Sequence, residues 1–149
     1  MKDRSIQPLW TCPKCGHQFV SANLWHSCGR YSLDSHFAGR NPSVRATFDR
    51  LVRLANACGP VTVYAQKTRI VFMVRVRFAN LITRKAWLLF GLWLTRRVEH
   101  PRLQKVELYG PATFGHQFKL ADPAEIDDRL ADLICEAYRV GRQEHLRAQ

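Results

Sequence analysis

Cysteine and histidine with metal-ligand spacing stand near the start of the chain. Cys12-Pro13-Lys14-Cys15-Gly16-His17 is followed, with ten residues between Cys15 and His26, by His26-Ser27-Cys28-Gly29. Two cysteines two residues apart, with glycine after the second, make a turn whose backbone amides point at the sulfurs. Such a turn holds both thiolates about 2.3 Å from one tetrahedral zinc ion. The second pair departs from cysteine-x-x-cysteine, because Trp25 stands three residues before Cys28. His26 comes one residue later, and its longer imidazole spans the shortened interval. The expected zinc ligands are therefore Cys12, Cys15, His26 and Cys28, with His17 and His36 as substitutes for the histidine.

Ligand count separates structural from catalytic zinc. A catalytic ion keeps an open position for water, whereas four protein ligands close the shell. Three thiolates and an imidazole also donate enough charge to make the ion a poor Lewis acid. No glutamate precedes Glu99, and the early carboxylates are Asp3, Asp34 and Asp49, so no general base is near in sequence. A structural Zn2+ is expected, and no catalytic residue.

A segment of 30 residues cannot bury a core of its own, so metal must replace the missing burial. The expected organisation is a zinc-ribbon module over residues 1–30 and an α+β domain over residues 31–149. Within the second unit, Leu33 to Phe37 reads as a short helical turn ended at Gly39. Asn41-Pro42 then caps and opens a helix. Its stripe of Val44, Phe48, Leu51, Ala55 and Cys58 faces inward, and Gly59-Pro60 stops it. On this pattern Cys58 packs as a small apolar residue, and Arg45 pairs with Asp49 four residues on.

From Val61 the period changes to two. Val61 to Gln66 reads as a strand, and Lys67-Thr68 as a tight connection. Ile70 to Phe78 then reads as one long strand with Arg75 and Arg77 together on one face. Ala86 to Leu94, apolar on both faces, reads as a central strand covered on both sides. Val106 and Leu108 give a short strand, and Thr113 to Leu120 the last one. Short links point to an antiparallel sheet. Asp122-Pro123-Ala124-Glu125 has the form of a capping box for a final helix with the inward stripe Ile126, Leu130, Leu133, Ala137. An acidic stripe, Glu125, Asp128, Asp132 and Glu136, runs beside it. The expected fold is α+β: zinc ribbon, helix, antiparallel sheet, C-terminal helix.

Several of these segments resemble a bacterial family known only as a conserved domain of unknown function. They are Leu9 to Gly16, Trp25 to Cys28, His36 to Gly39, Gly59-Pro60-Val61, Thr68 to Phe72, Ile126-Asp127 and Ala137-Tyr138. The resemblance runs from about residue 9 to 140. It implies the same pairing of a zinc ribbon with a small α+β domain, and the same metal residues. Relatives of the second domain are loosely labelled transport-associated, and some accompany nuclease-like domains, but the resemblance implies no reaction.

The chain carries a formal net charge of +11. Residues 1–121 hold 19 Lys and Arg against 5 Asp and Glu, and residues 122–149 hold 4 against 7. A basic body attracts polyanions at long range. Arg75, Arg77, Arg84, Lys85, Arg96 and Arg97, on strand faces and ends, are the candidate nucleic-acid contacts. No phosphate loop, G-x-S-x-G, H-E-x-x-H or dinucleotide fingerprint occurs. No early apolar stretch reads as a secretory signal, and Ala86 to Leu94 is too short to span a bilayer. Three cysteines assigned to metal and two to helices favour a reducing cytoplasm. The expected function is a non-enzymatic, zinc-containing nucleic-acid binder. The alternatives are a protein–protein adaptor, or a small-ligand or anion site near His116, a histidine otherwise expected to be buried among Phe114, Phe118 and Leu120.

Overall fold

The computed structural model describes residues 9–13, 18–19, 31–109 and 112–144. Helix α1, Pro42–Cys58, begins where the Asn41 side chain accepts from the Ser43 amide at 3.0 Å. It buries Val44, Thr47, Phe48, Leu51 and Ala55. Thr47 tolerates that position because its hydroxyl donates to the Ser43 carbonyl at 2.7 Å. The helix ends at Gly59 with φ 152°, where a Cβ would stand 2.3 Å from the Tyr138 hydroxyl. Only glycine lets the chain turn there against that ring.

Among the described residues, six strands form one antiparallel sheet in the order β3-β4-β5-β6-β8-β7. They are β3 Thr62–Ala65, β4 Ile70–Met73, β5 Arg77–Thr83, β6 Leu88–Leu94, β7 Leu103–Tyr109 and β8 Thr113–Leu120. A separate two-stranded hairpin pairs β1, Trp10–Thr11, with β2, Gln18–Phe19. Helix α2, Asp128–Gly141, packs beside α1 on one face of the large sheet. Between helices and sheet lie the fully buried Phe72, Phe78, Phe90 and Phe118 with Leu51, Ile70, Leu81 and Leu88. Phe72 stands edge-on to Phe48, Phe78 and Phe90, an arrangement favoured by aromatic quadrupoles.

The expected single strand from Ile70 to Phe78 is two strands and a turn. The Arg75 and Val76 amides donate to the Gly141 carbonyl at 3.1 and 3.0 Å, so the end of α2 satisfies this backbone in place of a neighbouring strand. A register shift at Phe72/Met73 then lets both Phe78 and Ala79 reach the core. Strand β6 is internal, but helices cover only one of its faces; Leu89 and Trp93 on the other are half-buried. The capping box at Asp122 and Glu125 is present, yet it closes a 3-10 turn, Pro123–Glu125. Ile126 is extended, and Asp127 caps α2 by accepting from the Leu130 amide at 2.8 Å.

Cys58 is not an isolated apolar side chain. It forms a disulfide with Cys135 and so joins α1 to α2 across 77 residues of sequence. The pairing removes the thiol argument for a reducing compartment, since structural disulfides persist in oxidising ones. Among the described residues, no helix is long and apolar enough to cross a membrane.

Candidate functional site

Alternation along the strands puts Tyr64, Val71, Asn80, Gly91, Gln117 and Lys105 in one row across the sheet, on the face away from the helices. The two ends of this face differ. Over β3–β5, Tyr64, Val71 and Met73 are buried with Cys12, and Trp10 packs against them, so the N-terminal hairpin covers that half. Over β5–β7 lies a cleft of about 310 Å³, counting the part open to solvent. Asn80, Gly91, Trp93, Gly115, Gln117 and Tyr109 are among its lining.

The two glycines make the cleft. A Cβ on Gly91 would lie 2.7 Å from Asn80 Oδ1, and one on Gly115 would lie 2.3 Å from Tyr109 Cε2. Without side chains at these positions, the Asn80 amide and the Tyr109 ring lie down on the sheet. Along β7 a chain of polar contacts forms the rim. The Tyr109 hydroxyl donates to Glu107 Oε2 at 2.5 Å, and the Lys105 ammonium bonds the other carboxylate oxygen. The Lys105 bond, then the Tyr109 hydroxyl, hold Glu107 below the usual carboxylate range. The same carboxylate raises Lys105 and Tyr109 above theirs. Farther along the open face, Lys119 Nζ lies 4.6 Å above the Trp87 ring, a cation–π contact.

The six expected phosphate contacts do not form one surface. Arg84 and Lys85 are exposed in the turn between β5 and β6, beside Trp87. Arg75, Arg77, Arg96 and Arg97 belong to the opposite ends of β5 and β6, about 20 Å away along seven residues of strand. Arg75 and Arg77 do not project together. Arg75 sits in the turn and donates to Gln143 Oε1 at 3.1 Å. Arg77 lies in the covered half, with Nε donating to the Tyr64 hydroxyl at 2.7 Å and Nη2 buried without a hydrogen-bond partner among the described residues. Arg96 makes a two-pronged bond to Glu136 at 2.9 and 3.0 Å. Arg97 lies 5.8 Å from the Phe114 ring centroid. Two residues of the acidic stripe are engaged within the chain, Glu136 by Arg96 and Glu125 by Arg102 at 2.8 Å.

A family model described as a domain of unknown function, DUF5655, matches residues 33–141. The chain belongs to the DUF5655 family. No curated protein and no solved structure matches it.

The match spans α1, the sheet and α2, so the cleft lies within the DUF5655 domain and the cysteine-rich hairpin outside it. In the domain, the histidines His36, His100 and His116 are each held by hydrogen bonds within the chain. His116 is fully buried, accepting from the Val98 amide on Nε2 at 3.0 Å, while Nδ1 meets the Phe114 carbonyl at 3.1 Å. Burial above all holds its pKa below the ordinary value, an effect the Phe114 carbonyl partly opposes. His100, which the sequence reading passed over, bonds Asp127 through Nε2 and accepts the Arg102 amide on Nδ1. His36 is also buried, its Nε2 2.7 Å from the Gln66 carbonyl, which weakens it as a substitute zinc ligand.

Of the expected zinc ligands, Cys12 is buried. Cys15, His26 and Cys28, with His17, lie outside the described residues. Among the described residues, no cluster of His, Cys, Asp or Glu could hold a metal ion. The pairing Trp10↔Phe19 and Thr11↔Gln18 nevertheless sets Cys12 at the end of a paired strand. That placement suits a two-cysteine zinc turn, with Cys12 directly after its first strand.

Proposed function

We propose that the chain is a non-enzymatic module that binds single-stranded nucleic acid on the open half of its sheet, with zinc holding the N-terminal hairpin over the other half. The observation that carries the reading is the interleaving of Trp87, Trp93 and Tyr109 with Lys105 and Lys119 on one sheet face of a strongly basic chain. Single-strand binders combine aromatic rings, on which bases stack, with cations that follow the backbone. Sheets display both well, because alternate residues share a face. Arg84 and Lys85 extend the cationic edge next to Trp87. Among the described residues, both helices pack on the other face of the sheet, and neither stands out to enter a duplex groove.

Cys12, Cys15, His26 and Cys28 would hold the zinc, which when bound supplies folding free energy to the hairpin. The chain's part is to seat that hairpin: Cys12 and Trp10 pack on Tyr64, Val71 and Met73. The non-enzymatic reading is supported by the cleft's titratable groups. Lys105, Glu107 and Tyr109 are bonded to one another, and the His116 ring is engaged by backbone at both nitrogens.

The test is binding of fluorescein-labelled oligonucleotides to the whole chain. Stacking on an aromatic side chain contributes about 1–3 kcal/mol per base. Trp87→Ala and Trp93→Ala should each weaken single-strand binding by roughly 5- to 150-fold. Unchanged affinity in both variants would reject the sheet face as the binding surface.

A further inference from the structure

We infer that the cleft over Gly91 and Gly115 is a pocket for one flat, uncharged, hydrogen-bonding ring, a nucleobase, presented either by a single strand or as a free nucleoside. For its biological setting this rests on the nucleic-acid reading above; the chemistry of the cleft is independent of it.

The hydrogen-bonding groups come first. Gly91 is paired with Asn80 on one side and Gln117 on the other, so two carboxamides flank a position with no side chain. Each amide carries both a donor and an acceptor, the complement a base edge requires. The Asn80 amide is held against Gly91, so close that any Cβ there would displace it. The rings come next. Trp93 and Tyr109 both line the cleft, and Trp93 is paired with Gly115, on which the Tyr109 ring lies. The Tyr109–Glu107–Lys105 chain fixes that ring before any ligand arrives, which lowers the ordering cost of binding.

Charge then narrows the ligand. Among the described residues, the ionised groups lining the cleft are Lys105 and Glu107, and they neutralise each other. A phosphate or carboxylate would gain no uncompensated cation inside, and a cationic ligand no uncompensated anion. A neutral ring loses nothing on either count. The enclosed space is small, about 30 Å³, so a bound ring would enter by its edge, with the rest of it on the open side of the cleft. A strand bound this way would place a base in the cleft while its phosphates pass Lys119 outside it.

The experiment is NMR titration of the 15N-labelled full chain with adenosine, guanosine, cytidine, uridine, inorganic phosphate and a mixed-sequence single-stranded heptamer. The Trp93 indole and the Asn80 and Gln117 side-chain amides are followed. At least one nucleoside should shift these signals saturably, and Gln117→Ala or Asn80→Ala should weaken that binding by about 5-fold, one hydrogen bond's worth. Gly91→Ala should weaken it further by pushing the Asn80 amide into the cleft. If that variant does not fold, the two amide variants, at positions facing the cleft, carry the test. Matching shifts from the heptamer would mark the strand as the source of the base. Nucleoside binding at these signals with no heptamer binding would uphold the pocket and reject the nucleic-acid reading. Heptamer binding that leaves these signals still would overturn the pocket and confine the nucleic-acid reading to the Trp87 and Lys119 part of the face. Silence with both would overturn both, and saturable phosphate shifts at the cleft would overturn the neutral-ring assignment.

Discussion

Removing the Cys58–Cys135 bond should cost a substantial part of the domain's stability. The bond closes a loop of 77 residues between the end of α1 and the middle of α2. Loop-closure entropy for a cross-link of that span is about 4.5 kcal/mol at 25 °C, against a total stability of about 5–15 kcal/mol for a typical domain. The figure is an upper bound, because residual structure in the unfolded chain reduces the entropy that the cross-link removes. For a chain of this length each kcal/mol shifts the melting temperature by about 2–4 °C. The double variant Cys58→Ser/Cys135→Ser is therefore expected to melt up to roughly 9–18 °C below wild type. The substitution is preferable to a chemical reductant because it leaves Cys12, Cys15 and Cys28 and any metal they hold untouched. Circular-dichroism melts give the shift, and zinc content measured in parallel should be unchanged. Alkylation of the denatured, unreduced wild type should label neither Cys58 nor Cys135. Equal melting temperatures, or labelling of both thiols, would refute the cross-link.

The zinc reading predicts about one zinc per chain in untagged protein prepared without added metal, by elemental analysis. Cys12→Ser or Cys15→Ser should lose it, and His26→Ala should weaken it more than His17→Ala or His36→Ala; full retention in the cysteine variants would exclude the site. His116 makes a pH prediction. Burial keeps its folded pKa below the ordinary 6.5, so the unfolded chain takes up a proton first on acidification. Its contribution is complete above about pH 6.5 and is lost as pH falls below that value toward the folded pKa. Urea denaturation from pH 8 to 5 should show this slope shallower in His116→Leu, which also costs about 1–3 kcal/mol by orphaning the Val98 amide. Arg96→Ala, breaking an exposed pair with Glu136, should change stability by less than about 1 kcal/mol in the same assay.

Local signals carried the helices and most strands. Asn41-Pro42 and the Val44, Phe48, Leu51, Ala55 stripe define α1 because cap, proline and 3.6-residue period agree. The β3–β4 hairpin was legible for the same reason, with its turn at Lys67-Thr68 between two alternating runs. What failed was decided at long range. The apolar alternation through Val74 and Val76 continues across a turn that exists because Gly141, far along the chain, receives the Arg75 and Val76 amides. Cys58 looked like any small apolar residue on a helix stripe; its partner is 77 positions away, and spacing alone carries no pairing information.

The site was less legible than the fold. Counting arginines located charge but not direction, so residues near in sequence, such as Arg75 and Arg77, end in different surroundings. The informative residues were Gly91 and Gly115, two glycines inside otherwise strong strand patterns. An interior strand glycine marks a place where something lies close against the backbone, and here it is the Asn80 amide and the Tyr109 ring. The row that joins Asn80 to Gln117 across Gly91 depends on the β6–β8 pairing, which skips β7 and cannot be read from chain order. The Cys12–Cys15 motif stands apart, since its chemistry is carried by residue type and spacing alone.

The central claim is that the open half of the sheet binds single strands through stacked bases and neighbouring cations. Fluorescence anisotropy with labelled single-stranded DNA and RNA over a salt series tests it most directly. Affinity should fall with salt at about −0.7 in log–log slope for each phosphate contacted. Lys119→Gln, and separately Arg84→Gln/Lys85→Gln, should shallow that slope by about one contact per residue, whereas Arg75→Gln, at the far end of the sheet, should leave it unchanged. A single strand should compete at least as well as a duplex of the same length. No binding at low salt, or a slope that responds to Arg75 and not to Lys119, would contradict the account.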